Sequence, residues 1–436
     1  MTKNFRSKTL DGQALHPSTQ MLSYGYSPSL SEGAVKPPVF LTSSFVFQSA
    51  EEGAEFFDVV SGRKPVPEGM GAGGLVYSRF NNPNVEIVED RLALFDGAET
   101  ALLTSSGMAA INAVALTFLR PGDTLVHYTP LYGGTETILG KILPNWGVKP
   151  FPFTDGLSEG ALLEALDEAA RHGPVKLVYL ETPANPTNAM IDLRLCRAAV
   201  DRWAATSRQN PIIVCDNTLL GPVFQRPQEH GVDICVYSLT KYVGGHSDLV
   251  AGGITGSNEL LKQVRLTRSM YGFHADPHTS WMLSRSLETL TLRMEYAAAS
   301  GRKIAGWLAT NPHIPCTVLH PEHYKDESYR ALFARQCGGP GSTFSFVVRE
   351  DRALAFRILN NLELFKLALS LGGTESLACH PASTSHSGVA KEARDKSGIT
   401  EGMIRLSVGL EHPADLVRDL DQAFRRAAAG DLRQSA

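Results

Sequence analysis

The sequence predicts an α/β protein, with a large domain on a mostly parallel sheet and a smaller C-terminal α+β domain. Three observations predict it. Short runs rich in Val, Ile and Leu (TLVHY, VKLVYLE, PIIVCD and DICVYS) recur between residues 124 and 238. Helix-like segments, LLEALDEAARH at 162–172 and LRLCRAAVDRWAA at 193–205, separate them. The runs are near-continuously apolar rather than alternating, as strands are when helices cover both faces of a sheet. With 436 residues, 43% hydrophobic and 20% charged, the chain is ordinary globular material, long enough to bury two cores.

In chain order, residues 1–74 read as an N-terminal arm. Periodicity is weak there, and SGRKPVPEGMGAGG at 61–74 has the Gly/Pro content of a loop or insertion. The large domain is expected over 75–290. It opens with a helical stretch from Val85 to Phe95, then a run of small residues, TALLTSSGMAAINAVALTFL, closed by the turn Pro121-Gly122-Asp123. The four apolar runs follow. A long amphipathic segment near 280–310 leads into the C-terminal domain, 291–436, where helix and strand patterns are mixed. No 20–50-residue repeat is present.

Charge and composition exclude several functions. Lys+Arg 41 against Asp+Glu 45 leaves a net charge of −4, which argues against a chain-wide footprint for nucleic acid or anionic lipid. No apolar run approaches the ~18 residues a membrane span needs. The opening MTKNFRSKTLDGQ lacks the apolar core of a signal peptide, so a cytoplasmic protein is expected. The six cysteines include no C-x-x-C pair, and Cys215 and Cys235 sit in apolar runs as reduced, buried thiols. His380 and His386 stand six apart, which matches no ligand spacing. No metal is assigned.

Ligands of open α/β sheets bind at the carboxyl ends of the strands, so those residues carry the chemical reading. PIIVC ends in Asp216, DICVY in Ser238-Leu239-Thr240-Lys241, and VKLVYL in Glu181-Thr182-Pro183-Ala184-Asn185-Pro186. Ser106-Gly107-Met108 precedes a run of small helix formers, where backbone N–H groups can approach a phosphate closely. Neither a Walker A nor a G-x-G-x-x-G fingerprint is present. A lysine just beyond a buried strand can lose affinity for its proton and act as a nucleophile toward an aldehyde. Asp216 is the acid a pyridinium nitrogen would want. Each also has a plainer reading: Asp216 as a helix cap, Lys241 as a rim lysine, Ser106 as an ordinary N-cap. Taken together, the three describe a site for pyridoxal phosphate.

The chain resembles the Cys/Met-metabolism family of pyridoxal-phosphate enzymes, which spans methionine γ-lyases, cystathionine γ-lyases, cystathionine γ-synthases and O-acylhomoserine sulfhydrylases. The matching strings are PPVFLTSSFVF (37–47), YSRFNNPN (77–84), SSGMAAI (105–111), LYGGT (131–135), ETPANPT (181–187), DNT (216–218), YSLTKYVGGH (237–246), SLGGTESL (370–377), HPASTSH (380–386) and GITEGMIRLSVGLE (398–411).

The resemblance implies a fold-type I enzyme with pyridoxal 5'-phosphate on its large domain. Lys241 would bond the cofactor aldehyde and shuttle protons, and Asp216 would pair with the ring nitrogen. Tyr132 would stack on the ring and act as acid and base. Ser106, Gly107, Met108, Ser238 and Thr240 would hold the phosphate, joined by Tyr77 and Arg79 of a neighbouring subunit. Asn185 would lie beside the ring hydroxyl, and Arg405 with Ser370 would bind the substrate carboxylate.

The implied reaction is γ-elimination on a sulfur amino acid, L-methionine or an analogue, to 2-oxobutanoate, ammonia and a thiol. The alternatives are γ-replacement and, in a different class, a pyridoxal-phosphate protein without turnover. The implied assembly is a homo-oligomer, a dimer with shared sites forming a tetramer. Three departures are visible. Gly134 stands where methionine γ-lyases carry Cys, the segment 265–278 looks shorter than theirs and lacks their Lys-Asp pair, and residues 58–74 hold an insertion.

Overall fold

The structure is a computed structural model that describes residues 7–60, 63–65 and 74–430. Most of the Gly/Pro-rich stretch at 61–74, and with it most of the expected insertion, lies outside the described residues. The N-terminal part carries a hairpin of β1 (Thr9–Leu10) and β2 (Gln13–Ala14). It also holds a helix, Ala50–Val60, in a segment whose sequence shows only weak periodicity. Gly53, Phe56 and Val59 of that helix are buried at helical spacing, and Glu51 and Glu52 in its first turn suit the positive end of the helix dipole.

Seven strands make the central sheet: β3 (Thr100–Thr104), β4 (Thr124–Tyr128), β5 (Lys149–Phe153), β6 (Val175–Glu181), β7 (Ile212–Asp216), β8 (Ile234–Ser238) and β9 (Gly252–Gly256). Their order is β3-β9-β8-β7-β6-β4-β5. Within it β9 alone runs antiparallel to its neighbours, so the sheet is mostly parallel, as expected. Alternate residues of one strand feed two cores. Along β6, Leu177 and Tyr179 face one and Val178 and Leu180 the other, the period-two geometry of a strand. Both faces are covered, which is why the strands read as continuous apolar runs.

The amphipathic segment near 280–310 is two helices, Pro277–Leu287 and Leu290–Thr310. The second spans both halves of the molecule. Its Leu290, Met294 and Ala298 pack into the central core, and its Ile304, Ala305 and Leu308 into a C-terminal core. That second core lies on a five-stranded sheet of β10 (Thr317–Leu319), β11 (Thr343–Val347), β12 (Lys366–Leu367), β13 (Leu377–Cys379) and β14 (Met403–Ser407), in the order β10-β11-β14-β13-β12. Among the described residues no helix is long and apolar enough to cross a membrane.

Candidate active site

Three neighbouring strands end in polar side chains on the same edge of the sheet: β6 in Glu181, β7 in Asp216 and β8 in Ser238. Next to them begins the helix Gly107–Phe118. Its N-cap is Ser106, whose hydroxyl oxygen accepts from the Ala109 N–H at 3.0 Å. The plain reading of Ser106 is therefore correct, and it does not exclude the other. The first N–H groups of any helix lack partners within it and face an anion well. Gly107 is pressed on Ser238 so closely that a Cβ there would come within 2.8 Å of the serine Cβ. Only glycine lets the helix start and the strand end close into one cradle.

These ends open into a cavity of about 590 Å³. Of the residues singled out from sequence, Ser106, Gly107, Met108, Tyr132, Asn185, Asp216, Ser238, Thr240, Lys241, Ser370 and Arg405 all line it. Tyr77 and Arg79 do not. The Arg79 guanidinium donates to the Ser269 carbonyl at 2.7 Å and lies 4.5 Å over the Phe80 ring. A larger groove of about 730 Å³, lined by Lys8, Glu86, Asp90 and Arg265 among others, holds none of these residues.

Each side chain is set by its neighbours. Lys241 is half-buried and donates from Nζ to Ser370 Oγ at 3.1 Å. Burial first, then the positive charge of Arg405, lowers its proton affinity, as an amine nucleophile requires. Asp216 is buried and accepts from the Thr218 N–H at 3.0 Å. Burial pushes its carboxyl up, and the contact with Thr218 pulls it back. Arg405, on β14, is buried too. It donates from Nη1 to Asn185 Oδ1 at 3.0 Å and from Nη2 to the Leu369 and Ser370 carbonyls at 2.7 and 3.1 Å. Those bonds fix the fork, and donors remain for a carboxylate.

Tyr132 caps the short helix Gly133–Thr137, and its ring leans on Gly134, where a Cβ would lie 2.5 Å from Cε1. A side chain at 134 would displace that ring. At Gly133 a Cβ would come within 2.2 Å of the Ser385 carbonyl oxygen, so a glycine there lets the loop 380–386 close against 131–135. Glu181, Thr218, Leu369 and Ser385 also line the cavity, and sequence reasoning does not single them out as site residues. Glu181 has one available signal: it ends a buried strand beside Asp216, as the other acid and the hydroxyl do.

A buried polar chain supports this floor from behind. Tyr237 donates to Asp96 Oδ1 at 2.6 Å and accepts from Asn217 Nδ2 at 3.1 Å, and Thr255 also donates to Asp96. Asn217 Oδ1 accepts from Gln225 Nε2 at 2.9 Å, and Gln225 Oε1 accepts from Gln336 at 3.1 Å. Burial pushes the Asp96 carboxyl from 3.8 up to about 6, against the pull of Thr255 and Tyr237. The folded protein thus holds this proton more tightly than an unfolded chain. It gains stability as pH falls through about 6 and has lost that gain above it. Wild type is expected to gain on the order of 1 kcal/mol over Asp96→Asn on moving from pH 8 to pH 5, read from urea unfolding of both proteins. A gap that does not change with pH would mean Asp96 titrates like an exposed acid.

A buried acid and a half-buried amine that form no ion pair with one another among the described residues are both unfavourable unless something else neutralises them. An aromatic nitrogen base answers the first and an aldehyde the second. With the anion cradle at the helix start, the donor set fits pyridoxal phosphate, and an α/β fold with this edge defines an enzyme of the pyridoxal-phosphate class. The sequence profile described as "Cys/Met metabolism PLP-dependent enzyme" matches residues 18–425, and the chain belongs to that family. Among its relatives, L-methionine gamma-lyase of Pseudomonas deceptionensis is 38% identical over 413 residues, 94% of this chain and 98% of that one. Cystathionine gamma-lyase of Homo sapiens is 37% identical over 419 residues, 94% of each chain. Among solved structures, cystathionine gamma synthase from Xanthomonas oryzae pv. oryzae in complex with cystathionine superposes with a TM-score of 0.84 at 32% identity, covering 96% of this chain and all of that one.

Proposed function

We propose that the protein catalyses γ-elimination on a sulfur amino acid, L-methionine or a close analogue, releasing 2-oxobutanoate, ammonia and a thiol. One observation carries this reading over others in the family. The charged residues of the cavity, Glu181, Asp216, Lys241 and Arg405, are matched by apolar wall from Met108, Ile111, Val250, Leu369 and Leu371. That wall suits a thioether, and among the described residues lining the cavity no further charged side chain stands ready for a second amino acid.

When bound, pyridoxal phosphate withdraws electrons from the substrate Cα through its protonated ring. Asp216 holds the ring nitrogen's proton. Ser106, Gly107, Met108, Ser238 and Thr240 would hold the phosphate, and Asn185 would serve the ring hydroxyl. Arg405, with Ser370, clamps the substrate α-carboxylate, the planar fork suiting a two-oxygen acceptor. Lys241 Nζ, a half-buried amine of lowered proton affinity, would be the base that takes the Cα proton, and once it had given that proton up it could take one from Cβ. Tyr132, which lines the cavity, would be the general acid that protonates the departing thiolate.

The site is completed by a second copy of the chain, which brings Tyr77 and Arg79 to the phosphate in a dimer that pairs into a tetramer. Arg79 forms no ion pair among the described residues, and Tyr77 is 39% exposed. A reducing cytoplasm suits six free thiols. One observation favours γ-replacement as the second reading: Gly134 occupies the place of the cysteine typical of methionine lyases. The deciding assay compares 2-oxobutanoate from L-methionine with cystathionine from O-acylhomoserine plus cysteine, under equal conditions. Elimination is expected to be the faster, and a large excess of the replacement product would overturn it.

A further inference from the structure

We propose that Glu181 is a positioning residue that ties together the two loops carrying Tyr132 and Asn185. Glu181 is the last residue of β6 and is 4% exposed. Its two carboxyl oxygens are both committed. Oε2 accepts from the Tyr132 N–H at 2.7 Å and Oε1 from the Asn185 N–H at 2.9 Å. These amides lie 49 residues before it and 4 residues after it. One rigid strand end therefore fixes the backbone of the proposed proton donor and of the residue that aims Arg405 through Asn185 Oδ1.

The site tolerates Glu181 on unfavourable terms. It stands directly across from Asp216 in the sheet register. Burial, then Asp216, and more weakly Glu136, push its carboxyl up, while the two backbone N–H groups pull it down. A carboxyl beside another buried carboxyl needs a return for its place, and the structure offers one in geometry. Replacing it leaves at least one buried amide without an acceptor, and such an amide holds its loop poorly.

The inference rests on the role given to Tyr132 above, so its test is a double-mutant cycle. Glu181→Gln keeps the shape and one acceptor oxygen. In the holoenzyme it is expected to lower kcat about tenfold through Tyr132 and, through Asn185 and Arg405, to raise KM. It is also expected to shrink the visible circular dichroism of the bound cofactor, which reports how the ring is held. With Tyr132→Phe already present, the hydroxyl whose placement Glu181 governs is gone, and the same change is expected to alter kcat by less than about twofold. Equal losses in both backgrounds, or an unchanged kcat and dichroism in Glu181→Gln alone, would overturn the proposal. If Tyr132→Phe itself leaves kcat intact, the reading of Tyr132 fails and this inference falls with it, a result distinct from the other two. Should Glu181→Gln fail to assemble, Glu181→Asp, which keeps both oxygens one methylene short of their partners, is carried through the same cycle with the same expectations.

Discussion

Lys241→Ala is expected to abolish turnover, by roughly 10⁴-fold or more, and to remove the visible absorbance of a lysine-bound pyridoxal group. The size follows from how alone this amine is. Among the described residues lining the cavity Lys241 is the one lysine, its Nζ is held by Ser370 Oγ, and burial with Arg405 keeps its proton affinity low. Neither the hydroxyls of Ser238 and Thr240 nor the Arg405 guanidinium can replace it, since an arginine cannot be deprotonated in a protein. Lys241→Arg should therefore be as inactive as Lys241→Ala while keeping the positive charge. That pair separates nucleophilicity from electrostatics. Turnover in Lys241→Ala with the lysine-linked absorbance retained would remove the basis of the proposed chemistry.

Asp216 and Lys241 are legible in the sequence because the strand ends of a buried parallel sheet announce themselves. Val, Ile and Leu in β6, β7 and β8 are buried on both faces, so the first polar residue after each marks the edge where ligands bind. Three other central strands lack that pattern for separate reasons. β5, KPFPF, lies at the sheet's edge in the strand order, where Pro150 and Pro152 need donate no hydrogen bond. β9, GGITG, is mostly glycine because it is wedged in. A Cβ at Gly252 would come within 2.1 Å of the Ser106 carbonyl oxygen, and one at Gly253 within 2.8 Å of Leu92. Such glycines read from sequence as a loop, yet here they are the close contact that holds the cradle. β3 is hidden inside the small-residue run 100–119, whose remainder is the helix behind it.

The site is legible to the extent that its residues lie at strand ends or in family strings. Glu181 reads as a strand end but not as a functional group, because its partners are backbone amides, one of them 49 residues away. Nothing in the local sequence states that pairing. The same holds for the polar chain from Asp96 to Gln336, which joins β8, β7 and the C-terminal half through side chains far apart in sequence. Its members are buried polar residues, and only tertiary structure shows which of them meet.

Mixing two inactive variants is expected to regenerate activity. Arg79→Ala should weaken cofactor binding by about 10- to 100-fold, the range of one lost charge-assisted bond to phosphate. At limiting cofactor it is then nearly silent, whereas Lys241→Ala is silent at any cofactor level. In a two-fold dimer with shared sites, one subunit supplies Lys241 and its partner Arg79. A mixed dimer then holds one site with both residues intact and one site with both lost. Equal amounts after full exchange should recover about a quarter of wild-type activity, since half the dimers are mixed and each has one good site in two. The geometry gives the reason to expect this. Arg79 lies off the cavity that contains Lys241, faces a carbonyl and an aromatic ring instead of an acid, and sits beside the exposed Tyr77. A cation so placed is served poorly within its own subunit, and a phosphate in the neighbour's cradle would complete it. If exchange is demonstrated by mass-tagged subunits and activity stays at the level of the separate variants, Arg79 does not act across the interface. The weak binding of Arg79→Ala would then have to come from its own subunit, through the Ser269 carbonyl that it holds at 2.7 Å.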